Sequence, residues 1–219
     1  MPKKNLARRI IIFAVGLLVM AFGIAMTILA DIGIAPGGVL AVAMARLTPV
    51  SVGMSITAMH ILFIILQFAL SRRLTVSLAL QLPMAYVFGF LIDFFLELFT
   101  ITFAGMLYRI LFLTASMLVF SAGIRTVVAA NIVLAPPDGF ARAVGEKLGW
   151  SMSKSKLVFD IVVTAVAAML TLVLVGNAFL VVGIGTAICA VGTGPAIKLF
   201  TKLMPFLDAH KKQESKETV

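Results

Sequence analysis

Long apolar stretches separated by short polar segments dominate the chain. Each of six such stretches runs for about twenty residues, the length at which a helix crosses a hydrocarbon core of about 30 Å. The predicted spans cover about residues 10–30, 52–70, 76–98, 110–130, 157–175 and 179–200. The pattern predicts an all-α integral membrane protein with six transmembrane helices.

Two shorter helices are predicted between these spans, each directly after a helix-breaking segment. The first break, ADIGIAPGG, covers residues 30–38, and the second, ANIVLAPPDG, covers residues 130–139. The helical pieces that follow, at about residues 39–47 and 140–148, are too short to cross a bilayer. We therefore expect a re-entrant or interfacial helix after the first span of each half.

The two breaks belong to a repeat with an offset of one hundred residues. Identical residues at this offset include Arg9 with Arg109, Gly23 with Gly123, Ile32 with Ile132, Ala35 with Ala135, Pro36 with Pro136, Ser51 with Ser151 and Ser55 with Ser155. The predicted copies are residues 1–100 and 101–205, and residues 206–219 form a polar tail. Because each copy holds three spans, an odd number, the second copy enters the membrane in the opposite direction. Inverted repeats with interrupted helices are typical of transporters.

The composition agrees with a membrane protein and excludes a water-soluble globule. Of the 219 residues, 62% are hydrophobic and only 12% are charged, too few to cover a soluble surface. The net charge of +9 would suggest a nucleic-acid partner in a soluble protein. Here the basic residues flank apolar runs, where they set topology, so the expected partner is the lipid bilayer and not nucleic acid.

The distribution of basic residues predicts the orientation. With six spans and a cytoplasmic N-terminus, every lysine and arginine except Arg46 and Arg109 falls on the cytoplasmic side. If the short pieces were full spans, Arg72 and Arg73 would move outside. The charge pattern and the length argument therefore agree, and both termini are expected to be cytoplasmic.

A set of short segments carries a resemblance to a known family. In the first copy they are Gly23, Ala30, Asp31, Gly33, Pro36, Ser51, Gly53, Gly89 and Asp93; in the second copy they are Pro136, Asp138, Gly139, Gly149, Trp150, Ser151, Gly183, Gly185, Thr186, Gly194 and Pro195. Together they resemble the YczE/YyaS/YitT-like bacterial membrane proteins. The resemblance implies a multi-pass protein of the bacterial inner membrane, in a family with no agreed substrate.

The chain departs from that family at two places. Where the family usually carries an aromatic residue and an aspartate after the first proline, this chain has Gly37 and Gly38. Where the family tends to have arginines and a glutamate near the fifth span, this chain has Lys154, Lys156 and Asp160. Near the fifth span the signs of the charges are the same as in the family, but lysine lacks the bidentate hydrogen-bonding geometry of arginine.

The breaks supply three candidate substrate-binding residues. Asp31 and Asn131 form a mirrored polar pair, and Asp31 is expected near Arg46, where a salt bridge would satisfy both side chains. Asp138 precedes a short helix, so its simplest predicted role is an N-cap that accepts backbone N–H bonds. The functional alternative places Asp138 and the helix N-terminus at a cavity, where the exposed N–H groups could hold an anion or Asp138 a cation.

Three further polar residues fall within predicted spans. His60 and Asp160 occupy corresponding positions of the two copies, which is a hint of proton coupling; a packed histidine is the alternative. Asp160 also lies four residues after Lys156, so a local ion pair is expected. Arg125 lies about five residues, roughly 7.5 Å, below the end of the fourth span. It is a candidate substrate-binding charge or a snorkelling topology marker.

No catalytic constellation is found in the sequence. Two histidines, His60 and His210, cannot build a multi-histidine metal site, and no Gly-x-Ser-x-Gly motif occurs. We expect no enzyme activity, metal or cofactor. The favoured interpretation is a small secondary transporter of an unidentified small molecule or ion, with a homodimer as an expected assembly. The alternatives are a membrane scaffold or accessory protein, and a channel.

Overall fold

The computed structural model of the protein describes residues 3–208. In this range it contains no strand and eight α-helices: α1 Lys3–Ala30, α2 Pro36–Leu47, α3 Val52–Ser71, α4 Val76–Leu98, α5 Met106–Ala130, α6 Pro136–Leu148, α7 Met152–Val175 and α8 Ile184–Leu203. Six of them, all except α2 and α6, are long and apolar enough to cross a membrane. The predicted all-helical fold with six apolar spans is confirmed.

The helix ends differ from the predicted ones for identifiable reasons. Helices α2 and α6 begin at Pro36 and Pro136, earlier than predicted, because a proline at the first helical position starts a helix and does not break it. Helix α8 begins at Ile184 instead of about residue 179. The segment before it forms a 3₁₀ turn, Ala178–Leu180, in which Asn177 Oδ1 accepts from the backbone of Phe179 at 2.9 Å. Of the predicted tail, residues 209–219 lie outside the described range.

The two breaks share the conformation of their first residue and of the residue before the proline. Asp31 after α1 and Asn131 after α5 adopt left-handed φ angles of 53° and 50°, which aspartate and asparagine tolerate better than most residues. Ala35 and Ala135 then lead into the prolines with φ near −55° and −58°. The breaks differ at Gly33, whose φ of 115° has no counterpart at Val133.

Helices α1 and α5 pack against each other in antiparallel directions at glycine positions. A Cβ atom on Gly23 would lie 2.5 Å from the backbone nitrogen of Phe120, and one on Gly123 would lie 2.5 Å from that of Met20. Gly16 approaches Val127 in the same way. Because the contacted residue numbers fall on α5 as they rise on α1, the helices run in opposite directions. Their close approach requires glycine.

Two arginines form hydrogen bonds between α1 and α5 at the two ends of the pair. Arg9 Nε donates to the carbonyl oxygen of Ala130 at 2.9 Å, and Arg109 Nη1 donates to that of Ala30 at 3.0 Å. Arg9 Nη2 also donates to the carbonyl oxygen of Asn131. The last carbonyls of a helix lack intrahelical partners and attract cations. Each half of the chain therefore caps the first helix of the other half.

The short helices lie between elements of both halves. Helix α2 contacts α3 and α7, and α6 also contacts α3 and α7. The rings of Phe63, Phe140 and Phe159, from α3, α6 and α7, pack with centroids 5.2 to 5.9 Å apart. These four helices form a central bundle in which residues far apart in sequence meet.

The close approach of α1 and α5 is testable by adding one methyl group. We expect Gly23→Ala and Gly123→Ala each to destabilise the protein by about 1–3 kcal/mol, because the added Cβ meets backbone atoms that cannot move independently. Thermal unfolding in detergent measures the effect. Gly194→Ala in α8 is the control, since nothing lies within 4 Å of its added Cβ; equal transition temperatures for all three variants would contradict the packing.

Candidate functional site

Three charged side chains form one ion-paired group in the central bundle. Lys156 Nζ lies 3.0 Å from Asp138 Oδ1 and 2.9 Å from Asp160 Oδ1. Their side chains are between 25% and 34% exposed. The predicted pair of Lys156 with Asp160, one turn apart on α7, is confirmed. We call Asp138, Lys156 and Asp160 the charged cluster.

Asp138 reaches Lys156 because it does not cap its own helix. The N-cap residue of α6 is Ala135, no side chain caps this helix, and Asp138 lies in its first turn. The predicted capping role is therefore wrong. Pro136 and Pro137 have no N–H groups, so the first turn presents fewer donors that need a cap, and the carboxylate pairs with a lysine from the next helix.

His60 lies on α3, one of the helices that pack against α6. Its side chain is buried, with 7% exposure, and its ring stacks on that of Phe88 with centroids 5.8 Å apart and an interplanar angle of 8°. Nδ1 has no hydrogen-bond partner among the described residues. Phe63, one turn further along α3, stacks on Phe140 of α6 with centroids 5.7 Å apart. The face of α3 that carries His60 is therefore turned towards the helix that carries Asp138.

Two glutamines lie next to Asp138 on the α3 and α4 side of α6. Gln81 is 1% exposed, and its Nε2 is 3.4 Å from Gln67 Oε1. A Cβ on Gly139 would lie 2.3 Å from Gln67 Oε1 and 2.7 Å from Gln81 Nε2, so any larger residue here would require the two amide ends to move. Gln81 Oε1 has no partner among the described residues. We call Gln67 and Gln81 the amide pair.

Sequence reasoning missed the amide pair and the contact of Lys156 with Asp138. The available signal for the first was two glutamines inside apolar runs, where polar side chains are costly unless they are paired. The contact of Lys156 with Asp138 joins residues on different helices, and no sequence spacing predicts it.

Asp31 and Asn131 lie away from the charged cluster, at opposite ends of the α1–α5 pair. Asp31 is paired with Arg46 at 2.5 Å and lies 3.7 Å from Arg109. The expected salt bridge with Arg46 is confirmed, and Asp31 is half exposed. Asn131 ends α5, where its carbonyl oxygen accepts from Arg9. The structure does not bring these two residues to Asp138.

Arg125 is covered by protein and is only 4% exposed. Burial by protein favours a charge held inside the molecule over a snorkelling side chain, which keeps its guanidinium at the polar boundary. Helix α5 packs mainly against α1 and α8, whereas the charged cluster is built on α6 and α7.

Two clefts are found elsewhere on the molecule. One of about 360 Å³ is lined by residues that include Arg142, Glu146 and Trp150, and an apolar one of about 190 Å³ is lined by residues that include Phe22 and Phe99. Neither is lined by the charged cluster or the amide pair.

The pairing of Asp138 with Lys156 is testable by a double-mutant cycle. We expect Asp138→Asn and Lys156→Met to show a coupling free energy of about 1 kcal/mol or more, because each single variant leaves a partly buried charge with one partner fewer. Unfolding of each variant in detergent measures it. The matched control is Arg142→Met with Glu146→Gln, an ion pair on the exposed face of α6, for which a coupling near zero is expected. Equal coupling in both cycles would contradict the assignment.

Comparison with known proteins places most of the chain in one family. A family model described as a family of unknown function (DUF6198) matches residues 7–202. No curated protein and no solved structure matches the chain.

Proposed function

We propose that the chain, which belongs to the family of unknown function DUF6198, is a small secondary transporter of the bacterial inner membrane. The charged cluster carries the proposal. Ionisable side chains inside a bundle of apolar spans are costly to bury, and where they occur they commonly mark substrate or ion pathways. Here three of them, with His60 beside them, lie where both short helices contact both α3 and α7.

An inverted repeat is the second part of the proposal. The antiparallel packing of α1 and α5 supports it. So do pairs of contacts that are related by adding one hundred to the residue number on α1 and subtracting one hundred from that on α5. Gly23 meets Phe120 while Gly123 meets Met20, and the two arginine caps are related in the same way. Two inverted halves can exchange outward-open and inward-open shapes by moving against each other. We infer that α2 and α6 are re-entrant helices.

The finer family relation and the orientation also belong to the proposal. The resemblance to the YczE/YyaS/YitT-like proteins supports a bacterial inner-membrane location. The placement of nearly all lysines and arginines on one side supports cytoplasmic termini. A homodimer stays a prediction, as does a role for Asp31, Asn131 and Arg125 in binding substrate.

Proton coupling is proposed at Asp160 and His60. A proton that binds the Asp160 carboxylate removes its charge and leaves Lys156 with one charged partner, Asp138. A proton that binds His60 places a second positive charge near Asp138. Either event changes how α6, which carries Asp138, is held against α3 and α7. Proton uptake is thereby linked to movement of a short helix.

Solute-driven proton flux tests the proposed function. Proteoliposomes with an internal pH-sensitive dye are exposed in turn to amino acids, sugars, organic acids and small amines. We expect at least one class to drive saturable acidification that is absent from empty liposomes and is lost in the double variant His60→Ala, Asp160→Asn. Glu146→Gln on the exposed face of α6 is the control and should behave as the unchanged protein.

The alternatives give different results in the same preparation. An unchanged flux in the double variant would refute coupling through His60 and Asp160. A conductance that does not saturate would favour a channel. The absence of any solute response, together with stable co-purification of one protein, would favour a membrane scaffold.

A further inference from the structure

We propose that the charged cluster, His60 and the amide pair form one binding site for a small cation that donates hydrogen bonds, of the ammonium or primary-amine class. This inference rests on the proposed transport function and names its substrate class. Two observations carry it: acceptor atoms without partners, and an unbalanced negative charge among the side chains. The chemistry of the acceptor groups then restricts the type of ligand.

The first observation is a pair of deeply buried polar groups that have no partner among residues 3–208. Gln81 Oε1 belongs to a side chain that is 1% exposed, and His60 Nδ1 to one that is 7% exposed. Hydrocarbon supplies no water to satisfy such atoms. An amide oxygen is an acceptor, and neutral histidine accepts at Nδ1 when Nε2 carries the proton. In that tautomer both atoms suit a ligand that donates hydrogen bonds.

These two groups face the same short helix. Gln81 Nε2 would lie 2.7 Å from a Cβ on Gly139 of α6, and Phe63, one turn along α3 from His60, stacks on Phe140 of α6 with centroids 5.7 Å apart. His60 and Gln67 are seven residues apart on α3 and therefore share one face of that helix. The unpartnered atoms and the charged cluster are thus parts of one continuous polar region.

The second observation is the charge of the side chains. Asp138 and Asp160 share the single ammonium of Lys156, so with neutral His60 one negative charge is unbalanced. The amino end of α2 adds partial positive charge at Gly37, whose Cβ position is 3.6 Å from Lys156 Nζ. This partial positive charge lies next to Lys156 and disfavours a cation there. An incoming cation is therefore favoured near Asp138 and the amide pair.

The size and type of the ligand are restricted by the surroundings. Neither of the clefts of about 360 and 190 Å³ is lined by the charged cluster or the amide pair, so we restrict the proposal to a ligand of few heavy atoms. The part of the chain that the structure describes holds no group of three histidine, cysteine or acidic residues that could bind a metal ion. A histidine nitrogen acceptor favours an N–H donor over an alkali ion.

Equilibrium dialysis with radiolabelled methylammonium tests this site on the purified full-length protein in detergent. We expect saturable binding that sodium and potassium at equal concentration do not displace. Gln81→Met and His60→Phe should each weaken binding at least about tenfold, because each removes an acceptor for a charged donor. Glu146→Gln is the control and should bind as the unchanged protein.

A stability readout separates a binding role from a structural one. Gln81→Met nearly preserves volume and removes an unpartnered buried oxygen together with the long hydrogen bond to Gln67 Oε1 at 3.4 Å, so its transition temperature should change little while binding falls. The absence of saturable binding, equal displacement by sodium, or wild-type binding by Gln81→Met would each overturn the inference.

Failure of the site and failure of the proposed function give different results. Methylammonium binding without any flux in proteoliposomes would refute transport and support the site. Flux driven by another solute, in protein that does not bind methylammonium, would support transport and overturn the site.

Discussion

A helix that stops at the end of a membrane span needs partners for its last carbonyl groups, and lipid offers none. Helices α1 and α5 both meet this requirement with an arginine from the opposite half of the chain. Arg109 binds the Ala30 carbonyl and Arg9 binds the Ala130 carbonyl. Each cap works only if the two helices lie side by side in opposite directions. The rest of the arrangement depends on this mutual capping.

With α1 and α5 held together, the segments that follow them are directed into the molecule. Each short helix contacts both α3 and α7, so Asp138 of the second half meets Lys156 of α7 and approaches His60 of α3. The two halves contribute differently to this region. The first half supplies His60 and the amide pair, whereas the second supplies all three members of the charged cluster. Gly38, which corresponds to Asp138 at the repeat offset, brings no charge.

The sequence was sufficient to predict what depends on local pattern. Apolar run length predicted six spans, and proline with the repeat predicted two short helices. The predicted starts of α2 and α6 were too late, because proline at the first helical position starts a helix, whereas inside a helix it breaks one. The Lys156–Asp160 pair was predictable from its spacing along one helix.

What depends on packing between helices could not be predicted in the same way. The contact of Asp138 with Lys156 requires α6 to lie against α7, and no periodicity shows that. An aspartate near a helix start commonly caps the helix. At Asp138 the two preceding prolines reduce the need for a cap, and the carboxylate pairs with Lys156 instead. Gln67 and Gln81 correspond to Ala167 and Val181 at the repeat offset. The repeat that drew attention to His60 therefore gave no signal for them.

In the proposed transport cycle, the region around the charged cluster opens to each side of the membrane in turn. The most direct measurement is the reaction of a Gly37→Cys, Cys189→Ala variant with a membrane-impermeant thiol reagent, in vesicles of either orientation. Gly37 is suited to it because its added Cβ has only Lys156 Nζ within 4 Å, at 3.6 Å. We expect reaction from both sides. Reaction from one side only, or from neither, would contradict alternating access.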